Sequence, residues 1–309
     1  MRNPIVYQGK HKSNNYFEGW YFKFVNNMTD KVFAVIPGIS KNSNDPHCFI
    51  QINSYLGESE YYRFDIKEFK CTSSGELEIN IGDNNFSTNE ITLNLPHISG
   101  NIKLTNNIKY KGFWPNIMGP FSFIPFMQCY HGVVSLNCIT FGSLKINNEE
   151  INFDNGKGYI EKDWGSGFPS EWLWLQGNSF EEVKTSVMLS LAHIPWLGNY
   201  FPGFLGFLNV GGKTYYFSTY NNSKIKKVVI DDFIEIDIKK GSYILSIKTK
   251  STDYGTLKAP VNGVMNRPIK ESVNGKINIQ LTKNNEIIYN GSSKAVGLEV
   301  VGDIEKLFN

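Results

Sequence analysis

Along most of the chain, apolar and polar residues keep a period nearer two than 3.6. YYRFDI (61–66), NEITLNL (89–95), DDFIEIDI (231–238), SYILSIKT (242–249) and GKINIQL (275–281) all alternate or mix the two kinds in this way. That rhythm puts successive side chains on opposite faces of a strand. Turn-forming groups separate the runs: Asn27 to Asp30, Asn147-Asn148, Gly211-Gly212, Asn221-Asn222, Asn284-Asn285 and Asn290-Gly291. These residues tolerate the left-handed backbone of tight hairpins. Helical patterning is confined to the tail VGDIEKLFN and part of 179–185. Many short strands between turn signals predict an all-β sandwich or barrel.

A weak repeat runs through this pattern. EGWYFKFV (18–25) followed by FAVIPGI (33–39) resembles SEWLWLQGN (170–178) followed by VMLSLAHIPW (187–196). In each, an acid and a tryptophan open an aromatic strand, and an apolar strand reaching Ile-Pro follows. The repeat predicts two similar β-domains, residues 1–150 and 151–309, with a boundary near 145–155. A length of 309 residues fits two domains.

Residues 112–144 contain no Asp, Glu, Lys or Arg, and so have the length of a membrane-spanning segment. Pro115, Pro120 and Pro125 break any helix there. The stretch reads as buried loop and strand, with peripheral membrane contact left open as the second reading. The start, MRNPIVYQGK, has no apolar signal region. Cys48, Cys71, Cys129 and Cys138 form no CxxC pair, which disfavours zinc-ribbon and thioredoxin chemistry. Reduced thiols and a cytoplasmic location are the expectation. A net charge of +2, evenly spread, gives no electrostatic case for nucleic acid.

The chemistry-bearing residues stand among aromatics. Four of the six tryptophans fall in 159–217. In GYIEKDWG (158–165), alternation puts Tyr159, Glu161 and Asp163 on one face; in YFEGWYFKF (16–24), Glu18 shares a face with Trp20, Phe22 and Phe24. A carboxyl on an aromatic face is costly to bury ionised. It either finds a partner or has its pKa raised, and then becomes a proton donor. The alternative is that these carboxyls pair with Lys23, Lys162 or backbone N–H groups. His131 lies in the uncharged stretch. No two of His11, His47, His97, His131 and His193 have metal-ligand spacing, so no metal is expected. GSGFPS (165–170) lacks the spacing of a phosphate cradle and reads as a turn.

Three segments carry a resemblance: YFEGWYFK (16–23), MGPFSFIPFMQCYHGVVSL (118–136) and GYIEKDWGSGFPSEWLWLQGN (158–178). APVNGVMNRPIKESVNG (259–275) and GLEVVGD (297–303) extend it in order along the chain. Together they are similar to the tocopherol cyclase family. The resemblance implies two tandem lipocalin-like β-barrel or sandwich domains. It also implies an isomerase that closes a ring on a prenylated quinol, or a similar apolar isoprenoid, by acid catalysis without a cofactor. A non-catalytic binding protein for a hydrophobic ligand is the alternative. Motif position nominates Glu161, Asp163, Glu18 and His131 for the chemistry. It nominates Trp20, Tyr21, Trp164, Trp172, Trp174, Tyr159, Phe168 and Gln176 for substrate contact. The Asn-, Ile- and Lys-rich composition points to a bacterial source, whose substrate need not be a tocopherol precursor. A third reading is carbohydrate binding through exposed Trp and Tyr.

Overall fold

The computed structural model describes residues 3–72, 75–251 and 253–308. Strands dominate it, and among the described residues the α-helix is Ile304–Phe308. The chain divides into two units, residues 1–168 with 256–268, and residues 169–255 with 269–309.

The first unit holds a twelve-stranded antiparallel sheet. From edge to edge its strands are Ser59–Asp65, His47–Ser54, Val32–Lys41, Tyr16–Val25, Gly156–Gly165, Cys129–Ile146, Ile98–Ile108, Glu90–Asn94, Asn84–Ser87, Glu78–Ile81 and Phe69–Cys71, with Glu149–Asn152 paired to Cys129–Ile146. The second sheet has ten strands. It runs Lys213–Ser218, Asn199–Val210, Ser186–Trp196, Trp172–Gly177, Glu286–Val301, Val264–Lys283, Tyr243–Lys250, Ile234–Lys240 and Ser223–Ile230, with Gly255–Val261 on Val264–Lys283. The two orders share a plan. In each, the first four strands pair in sequence, and the first also pairs with the last long strand of its sheet. The two repeat-bearing hairpins occupy equivalent places: Tyr16–Val25 with Val32–Lys41, and Trp172–Gly177 with Ser186–Trp196.

Each unit buries its own core. Trp20, Phe22, Phe24, Val35, Ile50, Phe86 and Ile160 belong to the first; Leu173, Leu175, Val187, Leu189, Ile236, Ile279 and Leu298 belong to the second. Burying each such side chain contributes about 1.5–3 kcal/mol.

Three local expectations are corrected. Residues 179–185 are not helical: Phe180 bridges to Ser293 and Lys184 takes a left-handed φ of 64°, which ends any helix. Asn290-Gly291 is not a turn but lies inside Glu286–Val301, with Asn290 opposite Gln280 and Gly291 opposite Ile279. The uncharged stretch is not buried throughout. It is irregular up to Gln128, interrupted by a 3₁₀ helix at Gly119–Phe123, and then strand, and before the strand Phe113 is 94% and Phe126 56% exposed. By contrast, the other predicted turns hold their left-handed residues, including Asn147, Gly211, Asn222 and Asn284. The four cysteines carry free thiols.

Candidate active site

Three adjacent strands build the site. Gly156–Gly165 lies between Tyr16–Val25 and Cys129–Ile146, antiparallel to both. Directly opposed residues of antiparallel strands point to the same face. The register pairs Glu161 with Tyr21 and Val133, and Asp163 with Gly19 and His131. It pairs Lys162 with Trp20 and Gly132, and Trp164 with Glu18 and Tyr130. Tyr159, Glu161, Asp163, His131 and Tyr21 therefore share one face. Glu18, Trp20, Lys162 and Trp164 share the other, which carries the core residues Phe22 and Ile160.

The end of the central strand is fixed by its glycine. Gly165 has φ of 148°, and a Cβ there would meet the Gln128 carbonyl at 2.2 Å. Only glycine fits so close an approach. Beyond it, the Ser166 and Gly167 N–H groups donate to that same carbonyl at 2.9 and 3.3 Å. Phe168 N–H donates to Pro260, and the Phe168 ring meets Phe17 edge-on at 5.4 Å. GSGFPS is thus the predicted loop, and it pins the start of the His131 strand against the end of the Asp163 strand.

On the core face, Glu18 is fully buried and fully engaged. Its carboxylate accepts from Gln8 N–H at 3.0 Å, Gly9 N–H at 2.9 Å and the Tyr16 hydroxyl at 2.5 Å. Lys162 Nζ lies 2.5 Å from it. Lys162 also donates to the Val6 carbonyl at 2.7 Å, and its ammonium sits 5.0 Å from the Trp20 ring and 4.7 Å from the Trp164 ring. Tyr130 stacks on Trp164 at 5.5 Å. Burial pulls the Lys162 ammonium pKa down, against the pull of Glu18. Glu18 follows the pairing alternative, with Lys162 and backbone N–H groups as partners. It is separated by the sheet from Glu161 and Asp163, and Trp20 and Trp164 serve the Lys162 charge.

On the opposite face, five polar groups form a chain. The Tyr159 hydroxyl donates to Glu161 Oε2 at 2.6 Å. Glu161 Oε2 lies 3.5 Å from His131 Nε2. His131 Nδ1 lies 2.9 Å from Asp163 Oδ1. The Cys129 thiol reaches the same Asp163 oxygen at 3.9 Å. Tyr159 and Glu161 are buried, and the His131 side chain is 13% exposed. Burial alone would strip the proton from His131, but Asp163 and Glu161 outweigh it and push the imidazole up to about 9. The ring is therefore an imidazolium at neutral pH. Burial, with Glu161 alongside, pushes the Tyr159 phenol well up, so it stays neutral. One oxygen or nitrogen from each of His131, Glu161 and Asp163 lies within 4.8 Å of the others, a spacing that could also receive a cation. Tyr21 and the fully buried Lys23 lie on this face.

In the second unit, Trp172, Trp174 and Gln176 share a face opposite the core residues Leu173 and Leu175. All three are buried, Trp172 and Trp174 at 4% and 6% exposure, so these two rings cannot serve the carbohydrate reading. Trp172 Nε1–H donates to Glu299 at 2.6 Å. Glu299 is opposite both Trp174 and the fully buried Glu271. Glu271 and Glu299 were not singled out from the sequence. They stand in IKESVNG and GLEVVGD, within segments that carry the family resemblance, and strand alternation in those segments was the available signal.

The tocopherol cyclase-like family matches residues 112–302, a span that holds His131, Tyr159, Glu161, Asp163, Trp172, Glu271 and Glu299. The chloroplastic tocopherol cyclase of Zea mays is 24% identical over 191 residues, covering 58% of this chain; the match spans only 40% of the maize protein's length. Among solved structures, CghA with Sch210972 is similar at a TM-score of 0.58 and 9% identity, over 98% of this chain and 96% of that one. Kievitone hydratase from Nectria haematococca is similar at a TM-score of 0.54 and 12% identity, over 96% and 93%. At such identities the structural likeness establishes the fold alone, and that fold is the lipocalin-like, nearly all-β one expected. With more than half its length matched by the family, the chain belongs to the tocopherol cyclase-like family.

Proposed function

We propose that the protein is a cofactor-independent cyclase whose proton chemistry is carried by His131, Glu161 and Asp163, with Tyr159 in support. The observation that carries this reading is the His131 ring set between the Glu161 and Asp163 carboxyl groups, 3.5 and 2.9 Å away, on a buried sheet face. The substrate class is an apolar molecule with a trisubstituted alkene and a nearby phenolic hydroxyl, such as a prenylated quinol. This class comes from the family and from the maize relative's name.

The steps balance without a co-reactant. Glu161 takes the Nε2 proton of His131 and becomes a neutral acid. It then protonates the alkene, forming a C–H bond and a tertiary cation. The phenolic oxygen bonds to that cation and loses its proton to the cluster, so the product is an isomer of the substrate. Glu161 and Asp163 stabilise the cation electrostatically, most strongly where water is absent. Exclusion of water also prevents its capture by solvent. Asp163 holds the imidazole by Nδ1, leaving Nε2 directed at Glu161.

Glu161→Gln and Asp163→Asn variants test the roles. Each should lose about 10²-fold or more in turnover of a prenylated quinol while still binding it. Unchanged turnover in both would remove the acids from the mechanism.

A further inference from the structure

The loop of residues 109–128 has a property that the chemistry above does not use. Phe113, Phe123 and Phe126 are exposed on it. Phe113 packs edge-on against Trp114 at 5.3 Å, and Trp114 against Phe123 at 6.2 Å. The tip is a cluster of rings facing outward, anchored below by buried Ile117, Met118 and Ser122. Ser122 Oγ donates to Asn116 at 2.7 Å, which ties the anchor together. Exposed apolar groups gathered on one loop, rather than scattered, mark a contact surface. Exposed Lys109 and Lys111 lead into it, and the loop itself carries no acid.

The loop is also joined to the candidate active site. The His131 N–H donates to Met118 Sδ at 3.1 Å. The hydroxyl of the adjacent Tyr130 donates to the Ile124 carbonyl at 2.6 Å. The loop therefore rests on the first residues of the strand that carries His131.

We propose that residues 109–128 dock on an anionic lipid surface, and that this places the start of the His131 strand where an apolar substrate leaves the bilayer. The second half rests on the proposed function; the first does not. Aromatic rings prefer the headgroup boundary, and lysines flanking them draw the loop to negatively charged headgroups. A bilayer matches both features: it accepts an aromatic tip, and its anionic headgroups carry the charge opposite to that of Lys109 and Lys111.

Flotation with phosphatidylcholine–phosphatidylglycerol vesicles, without substrate, tests the docking. The wild-type chain should float with the vesicles, and less so as salt is raised. A Phe113→Asp/Phe126→Asp variant should partition about tenfold or more weakly, with unchanged far-ultraviolet circular dichroism and thermal midpoint. A Lys109→Glu/Lys111→Glu variant should lose the salt dependence. Wild-type protein that stays at the bottom of the gradient would overturn the proposal. So would equal flotation of the Phe variant, or a concentration-dependent dimer that the Phe substitutions abolish without vesicle binding. The Phe variant should also keep its turnover on detergent-dispersed quinol and lose it on vesicle-borne quinol. A chain that floats but never cyclises any quinol keeps the docking surface and loses only the functional reading.

Discussion

Replacing Lys162 by Met removes one charge from the core of the first unit, together with the hydrogen bond to the Val6 carbonyl. The methionine stem keeps most of the contact with Trp20 and Trp164, whose rings flank the ammonium at 5.0 and 4.7 Å. What is lost is the partner 2.5 Å from Glu18, a carboxylate with no access to water. Three neutral donors remain on it: the Gln8 and Gly9 N–H groups and the Tyr16 hydroxyl. Removing one member of a buried ion pair costs about 3–5 kcal/mol, because the survivor is left uncompensated. The remaining donors place this site toward the lower end, about 3 kcal/mol. Against total stabilities of about 5–15 kcal/mol, that is a large loss. Urea denaturation followed by tryptophan fluorescence measures it. Glu18→Gln should cost a similar amount, and the double variant less than the sum, with a coupling of about 1–3 kcal/mol. Below the unfolding midpoint, both single variants should keep their turnover, because Glu18 and Lys162 lie across the sheet from His131. A loss under about 1 kcal/mol in Lys162→Met, with no coupling, would refute the reasoning.

The His131 imidazole is raised from 6.5 to about 9 by Asp163 and Glu161 against its burial. A folded pKa above the unfolded one gives stability that is fully present below pH 6.5 and is lost as pH rises through 9. Wild-type unfolding free energy should therefore fall across that window, and turnover with it, whereas His131→Gln should be less stable at pH 7 and flat with pH; denaturation curves from pH 6 to 9.5 check this. The spacing of His131, Glu161 and Asp163 would also admit a cation, so chelation separates the two chemistries. Turnover should survive excess EDTA, and loss that zinc restores would reassign the cluster to a metal.

The sheet faces were legible wherever one strand decided them. Alternation alone grouped Tyr159 with Glu161 and Asp163, and Glu18 with Trp20. It could not say which strands would be neighbours, or in what register. That information places Glu18 beside Lys162 and Trp164, and brings His131 opposite Asp163 from 32 residues away. A one-residue shift in either pairing would reverse the assignment. The all-β fold was legible because strand rhythm recurs along the whole chain. The Phe113–Phe126 loop was misread as buried because apolar composition does not distinguish a packed loop from one presented outward. Asn290-Gly291 failed as a turn for a related reason: the dipeptide permits a hairpin, but the flanking residues continue the ladder.

The central claim is that this buried face delivers a proton to carbon, and isotope incorporation reads that event directly. Turnover of a prenylated quinol in D₂O should give a ring-closed product carrying one non-exchangeable deuterium on the carbon that was the less substituted end of the alkene. Glu161→Gln should abolish both product and label. A bound quinol recovered unchanged and unlabelled, or a cyclised product without carbon-bound deuterium, would contradict the account.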